Sequence, residues 1–250
     1  MPGSFYLDRP LIMAHRGARD VAPENTLAAF RAAMAVGADG IEFDVSRCAT
    51  GEIVVIHDDT VDRTTDGAGT VAALPLSALR ELDAGAWFDA AFGGERIPLL
   101  EEVLDLAGGR LRLNIEIKGM RWRGDGIEAE IAAMVRQRGL GGDVIVSSFN
   151  PAALWRMRCA APALQRALLY APGQPLHLAR AWARRAVGAD ALHPHQSLVN
   201  EASLRRAHQG GWRVNVWTVN EDADLARMMA LRVDGIITDH PARAIELLPR

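Results

Sequence analysis

The stretch Gly40-Ile41-Glu42-Phe43-Asp44-Val45-Ser46-Arg47, followed after a Thr50-Gly51 turn by Ile53-Val54-Val55-Ile56-His57, decides the architecture of this chain. Alternate side chains of a strand face opposite sides, so Ile41, Phe43 and Val45 form one apolar row while Glu42 and Asp44 project together on the other. Parallel neighbours need a crossover of about a dozen residues or more, and the Ser46 to Glu52 gap is too short for one. The second run therefore reads as the return arm of an antiparallel hairpin.

Working outward, further strand-like runs occur at Leu11–Ala14, Leu111–Ile117, Val144–Ser148, Arg166–Tyr170, Asp190–His193, Arg213–Thr218 and Gly235–Thr238. With Gly40–Val45 they make eight, most of them followed by an Ala/Leu/Arg-rich segment of helical period. That alternation predicts an α/β protein with a parallel sheet and helices outside. Eight such units close into a (β/α)8 TIM barrel, here with a β-hairpin extension after its second strand. The first helix is predicted from its signals: Asn25 or Thr26 as cap, Leu27, Phe30 and Met34 as an apolar stripe, and Gly37 as the stop. Its start then lies on the face of the barrel that carries His15. Between His57 and the helix around Leu100–Leu106 lie about 40 residues rich in turn signals, which predicts a small lid or subdomain at about 58–98. Trp87, Phe88 and Phe92 within it read as its core rather than as a substrate wall.

At 250 residues, 49% hydrophobic and 24% charged, the chain can bury a full core, and residues 1–250 read as one barrel domain. A net charge of −3 offers no broad basic field, so a nucleic-acid partner is not expected. Cys48 and Cys159 stand in neither metal-type nor redox-type spacing and read as thiols of a reducing compartment. Met1 to Pro10 has no apolar core of a signal peptide, and no apolar stretch approaches the roughly 20 residues of a membrane helix. A cytoplasmic location without stable membrane association is the expectation. Trp155 and Trp182 fall on outer helices, which leaves the oligomeric state open.

Glu42, Asp44 and, on the next barrel strand, Glu116 are all expected to point into the barrel mouth. Gathering three acids there costs several kcal/mol unless something positive compensates or one stays protonated. An all-oxygen donor set selects one hard divalent cation, Mg²⁺ or Ca²⁺. The competing reading makes these acids simple ion-pair partners of Arg16 and Lys118. His15 ends the first strand and His57 the hairpin's return arm, near Asp44. Cleaving a phosphodiester needs one proton removed from the attacking oxygen and one delivered to the departing alkoxide, and two histidines suit both tasks. His193, His195 and His240 lack acids at strand spacing beside them, while His177 and His208 read as surface residues.

The strings Ala14-His15-Arg16-Gly17, Pro23-Glu24-Asn25-Thr26, Gly40-Ile41-Glu42-Phe43-Asp44-Val45, His57-Asp58, Asn114-Ile115-Glu116-Ile117-Lys118, Trp217-Thr218-Val219-Asn220 and Gly235-Ile236-Ile237-Thr238-Asp239 resemble the glycerophosphodiester phosphodiesterase family. The resemblance runs in order from Leu11 to about Ala242. It implies a hydrolase that releases sn-glycerol 3-phosphate and an alcohol from a small glycerophosphodiester. It also implies His15 and His57 as the acid–base pair, Glu42, Asp44 and Glu116 as metal ligands, and Arg16 and Lys118 as phosphate clamps. Trp217 would touch the glycerol side. Leu99 and the Arg121-Trp122-Arg123 loop depart from the family pattern without touching this chemistry. Rival readings are a phospholipase-type lyase forming a cyclic phosphate, a different metal-dependent barrel enzyme, and a non-catalytic phosphate-binding barrel.

Overall fold

A computed structural model describes residues 5–120 and 122–248. Strands β1 (Leu11–His15), β2 (Gly40–Arg47), β3 (Ile53–Val55), β4 (Arg112–Ile117), β5 (Val144–Ser148), β6 (Gln165–Tyr170), β7 (Ala191–Pro194), β8 (Arg213–Val216) and β9 (Gly235–Thr238) form one sheet. Its order is β1-β9-β8-β7-β6-β5-β4-β2, and β1 also pairs with β2, so eight parallel strands close into a barrel. Strand β3 runs antiparallel to β2 with Val45 opposite Val55 and Arg47 opposite Ile53, as the hairpin reading requires. Gly51 takes φ +108 at the turn, a conformation open to glycine and strained for other residues.

Helices α1 (Leu27–Ala35), α2 (Leu76–Glu81), α3 (Leu100–Ala107), α4 (Ile127–Gln137), α5 (Pro151–Ala160), α6 (Leu176–Ala179), α7 (Glu201–Gln209), α8 (Asp222–Leu231) and α9 (Pro241–Glu246) complete the chain. The apolar row Ile41, Phe43 and Val45 packs outward against Phe30 and Ala33 of α1 and Leu100, Val103 and Leu104 of α3. The Phe30 and Phe43 rings lie 5.6 Å apart. On the far side, Leu192, Val214, Val216 and Ile236 meet Leu204, Leu225 and Met228 in the same way. Inside the barrel, Leu11, Met13, Ile145, Ala167, Ala191 and Ile237 cluster with Phe5. Between β6 and β7 the expected helix shrinks to the four residues of α6 and a short 3-10 turn at Trp182–Arg184. Among the described residues, no helix is long and apolar enough to cross a membrane.

Two details of α1 bear on the site. Thr26 is its cap, with Oγ1 accepting from the Ala29 amide at 3.2 Å, and this frees Asn25 for another partner. The buried stripe is Ala29, Phe30 and Ala33, with Leu27 and Met34 only partly covered.

Residues 58–98 gather around their own apolar cluster of Val61, Val71, Leu79, Ala84 and Ile97, which continues into Val54 and Ile56 of the hairpin region. The expectation that Trp87, Phe88 and Phe92 fill that core needs correcting. They form an edge-to-face file outside it, at 5.8 and 5.7 Å between successive rings, and Trp87 remains exposed. The aliphatic residues already close the small core, so the larger rings are left at its margin.

Candidate active site

The acidic trio converges at the rim of the barrel. Glu42, Asp44 and Glu116 are all buried, and each offers a carboxylate oxygen within 4.8 Å of the others. Register explains the meeting: Asp44 lies directly opposite Glu116 across the β2–β4 pair, and Glu42 sits two residues below on the same face.

Two cations reach into this group. The Lys118 ammonium lies 3.0 Å from Glu116 and 3.4 Å from Asp44, and the Arg16 guanidinium lies 3.4 Å from Asp44. Asn25, released from capping duty, donates from Nδ2 to Asp44 at 3.0 Å. Burial opposes ionisation of Asp44, but Lys118 and Arg16 overcome it and hold this acid below the usual carboxylate range. Glu42 goes the other way. Burial, then the charges of Asp44 and Glu116, push it well above its ordinary value. Glu116 is likewise pushed up to about 7 by burial and by Asp44.

These directions are the signature of a site short of positive charge. With all three acids ionised, three carboxylates against one guanidinium and one ammonium would leave one net negative charge in a buried rim, and the raised Glu42 and Glu116 resist that state. A divalent cation would reverse that to one positive charge, the amount that a phosphodiester anion neutralises. The buried all-carboxylate set, with its mutual repulsion, therefore fits a hard divalent ion. The ion-pair reading is also realised in part, since Arg16 and Lys118 do touch these acids. They leave the third carboxylate uncompensated.

Both histidines sit beside the trio. His15 Nδ1 lies 2.6 Å from Asp239 Oδ1, while its Nε2 faces Glu42 at 3.9 Å. His57 Nδ1 lies 2.6 Å from Asp58 Oδ1, and the neighbouring Ile56 amide donates to the Asp44 carbonyl at 3.0 Å. Strand β3 itself ends at Val55, short of the expected His57, with the Ile56 amide still bonded to β2. Burial, with Lys118 and Arg16 nearby, lowers the His57 pKa below its ordinary 6.5 against the pull of Asp44 and Asp58. Beyond His57 opens a cleft of about 650 Å³, lined by Asp58, Glu116, Lys118, Met120 and Phe149 among others.

Arg16 owes its position to local backbone. Arg16, Gly17 and Asn25 all adopt positive φ, at +58, +85 and +57, and the Arg16 amide donates to the Glu42 carbonyl at 2.8 Å. A side chain on Gly17 would come within 2.6 Å of the Ala29 Cβ, so glycine lets the loop lie flat on α1.

Trp217 follows β8. Its Nε1 donates to the His193 carbonyl at 2.8 Å, and its ring meets Phe149 and His195 edge-on at 5.5 and 5.4 Å. His193 is fully buried, and burial lowers its pKa to about 3, so it is a neutral interior residue with Nε2 on Asn215. His195 bonds Ser197, His240 pairs with Asp20 at 3.3 Å and His208 with Asp234 at 2.7 Å, all away from the trio. In the loop after Lys118, Trp122 is 84% exposed, whereas Arg121 lies outside the described residues.

Sequence reasoning gave no role to Asp239, Asp58, Glu24, Arg19 or Arg63, yet Asp239 and Asp58 touch the imidazoles, and Glu24, Arg19 and Arg63 reach the trio or the imidazoles through one intervening residue. His15 and Asp239 are 224 positions apart, and only the closing of β9 against β1 makes them neighbours. For Asp58 a signal existed, an acid immediately after a strand-end histidine.

Known proteins resemble this chain over most of its length. A family model described as the glycerophosphoryl diester phosphodiesterase family matches residues 15–243. A glycerophosphodiester phosphodiesterase of Caldanaerobacter subterraneus is 41% identical over 243 residues, covering 96% of this chain and 98% of the relative. One from Bacillus subtilis is 33% identical, covering 94% of this chain and 85% of its own. A crystal structure of the Agrobacterium tumefaciens enzyme superposes with a TM-score of 0.84 at 32% identity, over 95% of this chain and all (100%) of that one. An Oleispira antarctica phosphodiesterase, solved in complex with its product sn-glycerol-3-phosphate, also gives 0.84, at 29% identity over 98% of this chain and 100% of that one. The matched span takes in most of the barrel, and this chain belongs to the glycerophosphoryl diester phosphodiesterase family.

Proposed function

We propose that this protein hydrolyses small glycerophosphodiesters to sn-glycerol 3-phosphate and an alcohol, with a single divalent cation held by Glu42, Asp44 and Glu116. The observation that carries this reading is the meeting, at one barrel rim, of three buried carboxylates, two fixed cations and two carboxylate-held imidazoles. Membership of the family and the product bound by the Oleispira relative support the same substrate class.

A divalent cation held by Glu42, Asp44 and Glu116 would supply electrostatic stabilisation of the charge that grows on the phosphoryl oxygens. Arg16 and Lys118 supply fixed positive charge on the same centre without reorganising, because each is already anchored on an acid of the trio. His15 and His57 exchange protons with the reacting oxygens. With Nδ1 of each ring on an aspartate, Nε2 is the nitrogen left for one ring to deprotonate the nucleophile and the other to protonate the leaving alkoxide. The Trp217 face, backed by Phe149, offers an apolar surface to the glycerol side. Residues 1–250 act as one barrel domain carrying the 58–98 insertion. The free thiols of Cys48 and Cys159 suit a cytoplasmic location.

The deciding experiment measures glycerol 3-phosphate released from glycerophosphocholine, glycerophosphoethanolamine and glycerophosphoglycerol with Mg²⁺, Ca²⁺ or chelator present. Release that depends on the ion supports the proposal. Turnover undiminished in chelator removes the metal, and no turnover of any of the three removes the diesterase. Phosphorus NMR during turnover separates direct attack by water from a route through a cyclic phosphate.

A further inference from the structure

Glu24 is 2% exposed at its side chain and carries three guanidinium groups on one carboxylate. Arg63 grips it with both terminal nitrogens at 2.7 and 3.1 Å, Arg16 at 2.8 Å and Arg19 at 2.9 Å. One buried carboxylate needs one cationic partner, so two of these are surplus to its own neutralisation.

The surplus has a destination, because every one of the three arginines continues to a different aspartate. Arg16 reaches Asp44 of the trio at 3.4 Å. Arg63 donates from Nε to Asp58 at 2.6 Å, and Asp58 holds His57 Nδ1 at 2.6 Å. Arg19 approaches Asp239 at 3.7 Å, and Asp239, also bonded by Asn220 at 2.8 Å, holds His15 Nδ1 at 2.6 Å. Three branches thus leave one carboxylate and end on the acidic trio and on each imidazole.

The three aspartates sit on separate parts of the fold: on β2, in the insertion, and just after β9. An Asp–His contact sets the tilt of a ring only as firmly as the aspartate itself is held. For Asp58, which lies outside the barrel wall, the paired guanidinium of Arg63 is the link back to the α1 side. Arginine suits this role because its planar fork binds two carboxylates in fixed mutual orientation.

We propose that Glu24 is a positioning residue for the reaction. It does not touch the reacting atoms, and it sets the placement of His15, His57 and Arg16 relative to one another, so that acid, base and phosphate clamp share one origin. The proposal rests on the diesterase reading above for its catalytic consequence, and its structural content stands without it.

The test uses the full chain. Glu24→Gln keeps the shape and removes the charge. It is expected to lower kcat on glycerophosphocholine by about 10- to 100-fold, the scale of an ångström-sized misplacement, while KM moves less than about threefold. In double-mutant cycles with Asp58→Asn and with Asp239→Asn, Glu24→Gln should cost at least about fivefold less than it does alone. Fold-changes that simply multiply in both cycles overturn the proposal.

A second readout needs no turnover. In ¹⁵N spectra of the imidazoles, Glu24→Gln should shift the Nδ1 resonances of both rings, Arg19→Gln only that of His15, and Arg63→Gln only that of His57. Movement of a single ring in Glu24→Gln overturns the shared origin. If Glu24→Gln does not fold, Glu24→Asp, which keeps the charge and draws it back from the three guanidinium groups, takes its place, and movement of a single ring in that variant likewise overturns the shared origin. A wild type without diesterase activity refutes the function proposed above, while the spectra still judge Glu24.

Discussion

His15 Nδ1 and Asp239 Oδ1, 2.6 Å apart, bring together the first barrel strand and the end of the last one. The contact turns the other ring nitrogen toward Glu42 and so into the acidic rim. His57, held through Nδ1 by Asp58, is presented in the same manner. If these rings exchange the two protons of the reaction, His15→Ala and His57→Ala should each lower kcat by about two orders of magnitude or more. Circular dichroism and thermal unfolding should stay near wild type. A wild-type rate with alanine at either position would remove that histidine from the mechanism.

The metal proposal gives a pH-dependent prediction. Burial and Asp44 push Glu116 up to about 7 from an ordinary 4.5, so without an ion the folded state binds this proton more tightly than the unfolded one does. A raised carboxylate favours the fold below 4.5, and that contribution is lost as pH rises through about 7. A cation takes the place of the proton. The rise in Tm produced by saturating Mg²⁺ or Ca²⁺ should therefore be larger at about pH 8 than at about pH 5. An equal rise at both would argue against binding at the trio.

Glu42→Gln removes one donor, an acid whose ionisation burial, Asp44 and Glu116 all oppose. It should raise the ion concentration for half-maximal activity by about tenfold or more, the loss expected when a coordinating group goes. Unchanged ion dependence would take Glu42 out of the ligand set. At about pH 8, metal-free Glu42→Gln should also unfold at a higher temperature than the metal-free parent, because burial, Asp44 and Glu116 oppose the ionised form of Glu42 in the fold.

Trp217→Ala tests the glycerol side. The indole is fixed by His193 and flanked by Phe149 and His195, so its loss takes away apolar surface while leaving the imidazoles and acids in place. KM should rise by about tenfold with kcat within about threefold, the pattern of lost uniform binding. A fall in kcat at constant KM would instead give this residue a role in the reacting geometry.

Gly17→Ala probes the loop that carries Arg16. The position has φ +85, and an added Cβ would meet Ala29 at 2.6 Å. Destabilisation of about 1–3 kcal/mol is expected from urea unfolding. Activity should drop further than this stability loss accounts for, because the displaced backbone carries Arg16 away from Asp44. A variant that loses stability and keeps full activity would show that the Arg16 position tolerates the shift.

The hairpin shows how far local sequence reaches. A short Ser46–Glu52 gap around Thr50-Gly51 excluded a parallel crossover, and β2 and β3 pair as that spacing requires. The same period-2 rule put Glu42 and Asp44 on one face and their apolar neighbours on the other, which is how they lie. The reading failed where packing inside the insertion chose between apolar residues. Trp87, Phe88 and Phe92 lie outside its core because Val61, Val71, Leu79 and Ile97 fill it first. It was also blind to cap choice, since Asn25 and Thr26 are both good caps and the bond of Asn25 to Asp44 is a tertiary contact.

From sequence alone, the chain determined its strand count, its hairpin, the inward faces of the two strands that carry the acids and the residue types available for chemistry. All of these follow from periodicity and turn geometry over a few residues. Closure of the barrel decided the rest. It set which acids share a charge deficit, which aspartate holds which imidazole, and that three arginines meet on Glu24. Those pairings join residues far apart in the chain, and their energies depend on burial and on ångström-scale distances that no local pattern carries.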